Sequence, residues 1–177
     1  MSASNETVIK SSLNIVAAVG LAFGGLFGML GTMVATRKLQ SAFWAIDGVG
    51  VVVATTLLAM KLFRKGNDVV AAGFLVFTMG ESVMLAGTAT TLAGSMPSFG
   101  AGTALWAAGL LLASVPSEFA AWVRMAGLIG SVLFAITSAR IFWGAQVMPT
   151  SSPLPFFAYP FLVLTFIGWI WTLLKRD

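Results

Sequence analysis

Residues 69–93 read VVAAGFLVFTMGESVMLAGTATTLA, and their single ionisable side chain is Glu81. As a helix this stretch rises about 37 Å at roughly 1.5 Å per residue, enough to cross a hydrocarbon core of about 30 Å. Working outward, five further windows of mainly apolar residues are bounded by charges, prolines or Gly-Ser clusters: Leu13–Thr36, Ala42–Phe63, Gly100–Val115, Phe119–Trp143 and Phe157–Leu174. The fourth span is the shortest and stops at Pro116. The expected fold is therefore all-α: one membrane domain over residues 1–177, a bundle of six transmembrane helices with short connections.

The composition agrees. Of 177 residues, 58% are hydrophobic and 9% charged, against about 25% charged in ordinary globular chains, and a water-soluble fold of this size cannot hide so much apolar surface. The net charge of +4 comes from cations placed between apolar spans, where they set topology rather than bind nucleic acid. The sequence has neither cysteine nor histidine, so disulfides, thiol chemistry, histidine-ligated haem and most zinc or copper sites are excluded, and no metal or cofactor is expected. A serine nucleophile would have only solvated lysines as bases, and no phosphate-binding loop, dinucleotide fingerprint or serine elbow is present. Asp47-Gly48-Val49-Gly50 invites comparison with the Gly-x-Gly-Asp element of intramembrane aspartyl proteases, but in reversed order. From these span boundaries Glu81, the second acid such a protease would need, lies about 12 Å further along the membrane normal. The chain is not expected to be an enzyme.

Lys10, Lys61, Arg64, Lys65, Lys175 and Arg176 fall on one side of the layout and Arg37, Lys38 and Arg140 on the other. The positive-inside rule then places both termini in the cytoplasm, with a bacterial inner membrane as the expected location. That placement leaves the Asn5-Glu6-Thr7 sequon without use. Trp44 and Trp143 fall at outer span ends and Trp122, Trp169 and Trp171 at inner ones, as aromatic belts would have them. Gly48 and Gly127, with Lys61-Leu62-Phe63 and Arg140-Ile141-Phe142 at equal distances beyond them, outline a 3+3 inverted repeat of the kind common in transporters.

Glycine marks the packing faces. Gly20, Gly24 and Gly28 recur every four residues in the first span, and Gly73, Gly80, Gly87 and Gly94 every seven in the third. Both spacings let two backbones approach closely. Packing within the bundle is the plain reading of these stripes, and contact with a second copy or a foreign subunit through the first span is the sharper one. The last span is so rich in Phe and Trp that a lipid-facing anchor is expected there.

A charge inside a span costs about 2.5–3.5 kcal/mol, so each calls for a partner or a wet cavity. Helical spacing aligns Glu81 with Thr78, Thr88 and, further on, Thr91. That stripe is either a polar pathway at the midplane or a hydrogen-bonded interhelical contact. Asp47 and Arg140, each close to an outer span end, are expected to form an ion pair closing the outer side, and Arg124 to snorkel inward or to reach towards Glu81. Two functional expectations follow: a channel or transporter for a small solute or proton, or a non-catalytic subunit of a larger membrane complex. Six short-looped helices are a format shared with several small bacterial channel and transporter families, a likeness that carries no residue.

Overall fold

The computed structural model describes the backbone of residues 3–175 and the side chains from Ser12 to Lys175; Arg176 and the side chains of Asn5, Glu6, Thr7 and Lys10 lie outside it. Six helices follow one another: α1 (Ala3–Met33), α2 (Arg37–Arg64), α3 (Asp68–Gly87), α4 (Met96–Ser114), α5 (Ala121–Phe142) and α6 (Tyr159–Lys175), with no strand among the described residues. Five are long and apolar enough to cross a membrane, and α6 has 17 residues. The chain is an all-α membrane bundle.

Each helix packs on its neighbours in sequence, and α6 returns to α1, so the six close into a ring. Short connections make successive helices antiparallel. One end of the ring, here the Arg37 end, therefore gathers the α1–α2, α3–α4 and α5–α6 connections, and the opposite Lys61 end gathers the other two.

Glycine brings the backbones of two helix pairs together. A Cβ at Gly20 would stand 2.5 Å from the Gly50 carbonyl oxygen, one at Gly73 would stand 2.9 Å from that of Gly109, and one at Gly80 would stand 2.8 Å from that of Gly102. Without side chains at these points α1 lies on α2 and α3 on α4 at van der Waals range, which is where helices in lipid find their attraction. The glycine stripe of α1 is consumed inside the ring: Gly24 faces Val51 and Phe166, and Gly28 faces Asp47. These glycine faces are therefore spent on contacts within the ring, as the plain reading has it.

Every helix boundary shifts against the sequence reading, most of all the start of α1, at Ala3 rather than Leu13, and two of the shifts matter for the site. Helix α2 starts at Arg37 rather than Ala42, and α3 ends at Gly87 rather than Ala93. Past Gly87 the hydroxyls turn on local carbonyls, Thr88 Oγ1 donating to Leu85 O at 2.7 Å and Thr90 Oγ1 to Gly87 O at 2.8 Å, the competition that disfavours Thr in helix interiors. Arg37 then donates from Nη2 to the carbonyls of Thr90 at 2.7 Å and Thr88 at 3.4 Å, placing a cation where the helix dipole is negative. Gly94 consequently falls in the α3–α4 connection, so the seven-residue seam of α3 comprises Gly73, Gly80 and Gly87 only. Helix α4 begins at Met96, with Pro97 in its first turn.

The aromatic sixth helix is only in part a lipid-facing anchor: Leu164, Ile167 and Trp171 face outward, but its opposite face turns into the bundle. Trp169 is 1% exposed and Phe166 is buried beside it, whereas Trp143, Trp122 and Trp171 face outward. Phe74 and Phe77 of α3 meet Trp169 edge-on at 4.5 and 6.1 Å, Phe77 meets Phe166 at 6.0 Å, and Trp106 of α4 stacks on Phe77 at 5.3 Å. Together with Phe134 and Phe119 these rings fill the middle of the ring of helices and its Lys61 half. No Cα of α6 comes near α3; only side chains of this size span the gap.

Candidate functional site

Above the aromatic plug, towards the Arg37 end, lies a cavity of about 80 Å³. At roughly 30 Å³ per water in the liquid it holds on the order of two to three waters. Phe166, Leu162 and Trp106 are in its wall on the plug side, and Arg37, Thr88, Ser95 and Pro149 line its mouth. Two carboxylates, Asp47 and Glu81, face into it.

Asp47 reaches the cavity because α1 has no side chains opposite it: its Oδ2 lies 2.9 Å from where a Cβ on Gly28 would stand, and its Oδ1 lies 3.3 Å from the equivalent point on Gly24. Glu81 is seated the same way on α2, its Oε1 3.2 Å from the Cβ position of Gly48. Gly24, Gly28 and Gly48 therefore make room for carboxylates, whereas Gly20, Gly73 and Gly80 make room for backbone. Glu81 is 4% exposed and its Oε2 has no hydrogen-bond partner among the described residues. The buried indole Nε1 of Trp106, which faces this carboxylate, likewise completes no hydrogen bond. A buried, unsatisfied acceptor of this kind costs stability, the more so when charged, and marks a place that expects a ligand, a water or a proton.

The two acids meet through the corrected helix boundaries. Asp47 is ten residues from the start of α2 and Glu81 six from the end of α3, about 15 and 9 Å below the mouth. Side chains tilt towards the N-terminus of their helix, so Asp47 leans up towards the mouth and Glu81 down away from it. This tilt removes much of the difference in depth and leaves the two groups close enough to interact electrostatically.

The polar stripe expected along α3 is divided. Glu81 and Thr88 line the cavity. Thr78 instead pairs with Thr55 of α2 at 2.7 Å and donates to Phe74 O at 2.8 Å, while Thr91 lies exposed in the connection, accepting the Gly94 N–H at 3.0 Å. The expected Asp47–Arg140 ion pair is not formed: α2 and α5 do not touch, and Arg140 is exposed in the last turn of α5. Arg124 neither snorkels nor approaches Glu81; it donates to the carbonyls of Ser114 at 2.8 Å and Val115 at 2.7 Å, capping α4.

Sequence reasoning missed the site's aromatic walls and its mouth. Trp44, assigned to an aromatic belt, lines the cavity, and the Arg37 guanidinium lies over its ring at 5.6 Å. Arg37 Nη1 also donates to Gln40 Oε1 at 2.9 Å, and Gln40 Nε2 to Gly31 O at 3.1 Å, tying the mouth to α1. Tyr159 enters from the start of α6, its hydroxyl donating to Pro149 O at 2.8 Å. The one available signal was Trp106, a large aromatic with a polar N–H in the middle of a span. Neither protein-family models, curated proteins nor solved structures give a match to this chain, so the geometry alone carries the functional argument.

Proposed function

We propose that this protein is a channel or transporter for a small solute or proton, with Asp47 and Glu81 as its site. The observation that carries the reading is a cavity inside the bundle that ends on two carboxylates, one of them with an unsatisfied oxygen. Paired acids in a membrane are costly and mark substrate and ion pathways.

The plug supports the same reading. At the Lys61 end a second, smaller depression of about 20 Å³ is lined by Lys61, Lys65, Glu118, Phe119 and Trp169. Phe166 faces the upper cavity and Trp169 the lower one, 5.5 Å apart between ring centroids. Two openings with one aromatic barrier between them are what a gated pathway requires. The distribution of Lys and Arg puts the Arg37 end on the outer face. The runner-up, a subunit of a larger complex, loses the glycine stripe of α1 as its contact. Proteolysis by the acid pair is disfavoured because an 80 Å³ cavity has no room for an extended peptide.

Reconstituted vesicles test the proposal. Wild-type protein should dissipate an imposed proton or cation gradient, and Glu81→Gln should cut the rate by about tenfold, which is about 1.4 kcal/mol, while still eluting as a folded species. Equal rates for wild type, Glu81→Gln and empty vesicles would remove transport as the function.

A further inference from the structure

Resting on the transport reading, we infer that the Asp47–Glu81 cavity selects one small monovalent nitrogen cation, of the ammonium, methylammonium or guanidinium class. Four independent features of the site converge on that chemistry.

Charge sets the valence. The cavity holds two carboxylates, Asp47 and Glu81, and one guanidinium, Arg37 at its mouth. The site therefore carries at most a single negative charge, which one monovalent cation neutralises and a divalent ion would overshoot. No group of three or more metal-ligating side chains exists among the described residues, so a dehydrated divalent ion, which takes six or more oxygen ligands, lacks a coordination set.

Hydrogen bonding sets the donor. Glu81 Oε2 is buried and completes no hydrogen bond although the Trp106 indole faces the carboxylate, and a further N–H group satisfies it directionally where an alkali ion does not. A charge-assisted N–H to carboxylate bond is about twice as strong as a neutral one.

The walls match an organic nitrogen cation. Trp44, Phe99, Trp106, Tyr159 and Phe166 surround the carboxylates, the arrangement by which aromatic cages recognise ammonium groups. The protein already seats one such cation there, its own Arg37 over Trp44.

Volume sets the size. The cavity of about 80 Å³ is roughly half of the ~150 Å³ that accepts benzene in an engineered protein core, so one to four heavy atoms fit and bulky quaternary ions do not.

Concentration-jump electrophysiology on proteoliposomes of the full chain, at equal pH on both sides, tests this with guanidinium, methylammonium, potassium and tetraethylammonium chlorides. Guanidinium is the primary probe because it has no neutral form at neutral pH to leak through lipid. Saturable currents with guanidinium and methylammonium, about tenfold above those with potassium or tetraethylammonium, are the expected result. Asp47→Asn and Glu81→Gln should each raise the half-saturating concentration by about tenfold. Potassium currents as large as guanidinium currents would overturn the inference. A response to a pH jump with none to any cation would overturn it too, leaving a proton site and the transport reading intact. Silence to both would overturn both. Because the ion comparison is made on the wild type, it stands even if either variant fails to fold.

Discussion

Gly25 and Gly28 sit three residues apart on α1 and differ in what a methyl group would meet. At Gly25 the nearest atom is Val163 Cγ1 at 3.8 Å, ordinary contact, whereas at Gly28 the three nearest atoms all belong to the Asp47 carboxylate, starting at 2.9 Å. Gly28→Ala should therefore push Asp47 into the cavity and lower transport by about tenfold, or about 1.4 kcal/mol of binding, with the fold retained because a single side chain can yield. Gly25 also lines the cavity, but a methyl group there displaces no carboxylate, so Gly25→Ala should lower flux less than Gly28→Ala, and flux measured on the two proteins side by side checks the pair. If both lose activity equally, the α1 glycines serve helix packing alone. The four-residue spacing of Gly20, Gly24 and Gly28 was legible in the sequence, but their partners were not. A glycine stripe says that something comes close, and whether that is a carbonyl, as at Gly20, or a carboxylate, as at Gly28, depends on the rotation of the neighbouring helix.

Helix pairs are held by backbone approach and by arginines at helix ends. A Cβ on Gly109 would stand 2.8 Å from the Gly73 carbonyl oxygen and from Phe77 N, atoms that cannot turn aside. Gly109→Val should destabilise the bundle by about 1–3 kcal/mol through overpacking, read as an earlier midpoint in denaturant titration of the detergent-solubilised protein. Arg124→Gln should remove two charged hydrogen bonds from the end of α4, a loss of about 1–3 kcal/mol in the same assay, with transport in vesicles unchanged because Arg124 lines neither the upper nor the lower cavity. Arg37 plays the same capping part for α3 but also lines the cavity, so its removal should change both stability and transport. Both caps escaped the sequence reading, because an arginine at a span end reads the same whether it contacts headgroups or a neighbouring helix's carbonyls.

Over the whole molecule, a ring of six helices leaves an axial space that side chains must fill, and here one half is filled with rings and the other is left open. Trp169 is the largest of the fully buried side chains, and replacing it by Leu should thin the barrier between the upper and lower cavities. Passive guanidinium leak through Trp169→Leu vesicles should rise about tenfold, as expected when an apolar constriction is widened; an unchanged leak would mean that the pathway does not run along the ring axis. The sequence by itself determined the solvent, the helical class, the number of helices and the ionisable residues that need explaining, because hydrophobicity over a window and the cost of a charge in lipid are local properties. It did not determine which faces look inward, since both faces of these helices are apolar: Phe74 and Phe77 point into the plug while Leu75 and Met79 of the same helix face out. Only the tertiary structure closed α6 against α1, ended α3 at Gly87 and began α2 at Arg37. Those three facts bring Asp47 and Glu81 to one cavity, because the meeting of two side chains on different helices depends on register and rotation that lipid, equally favourable to every apolar face, does not fix.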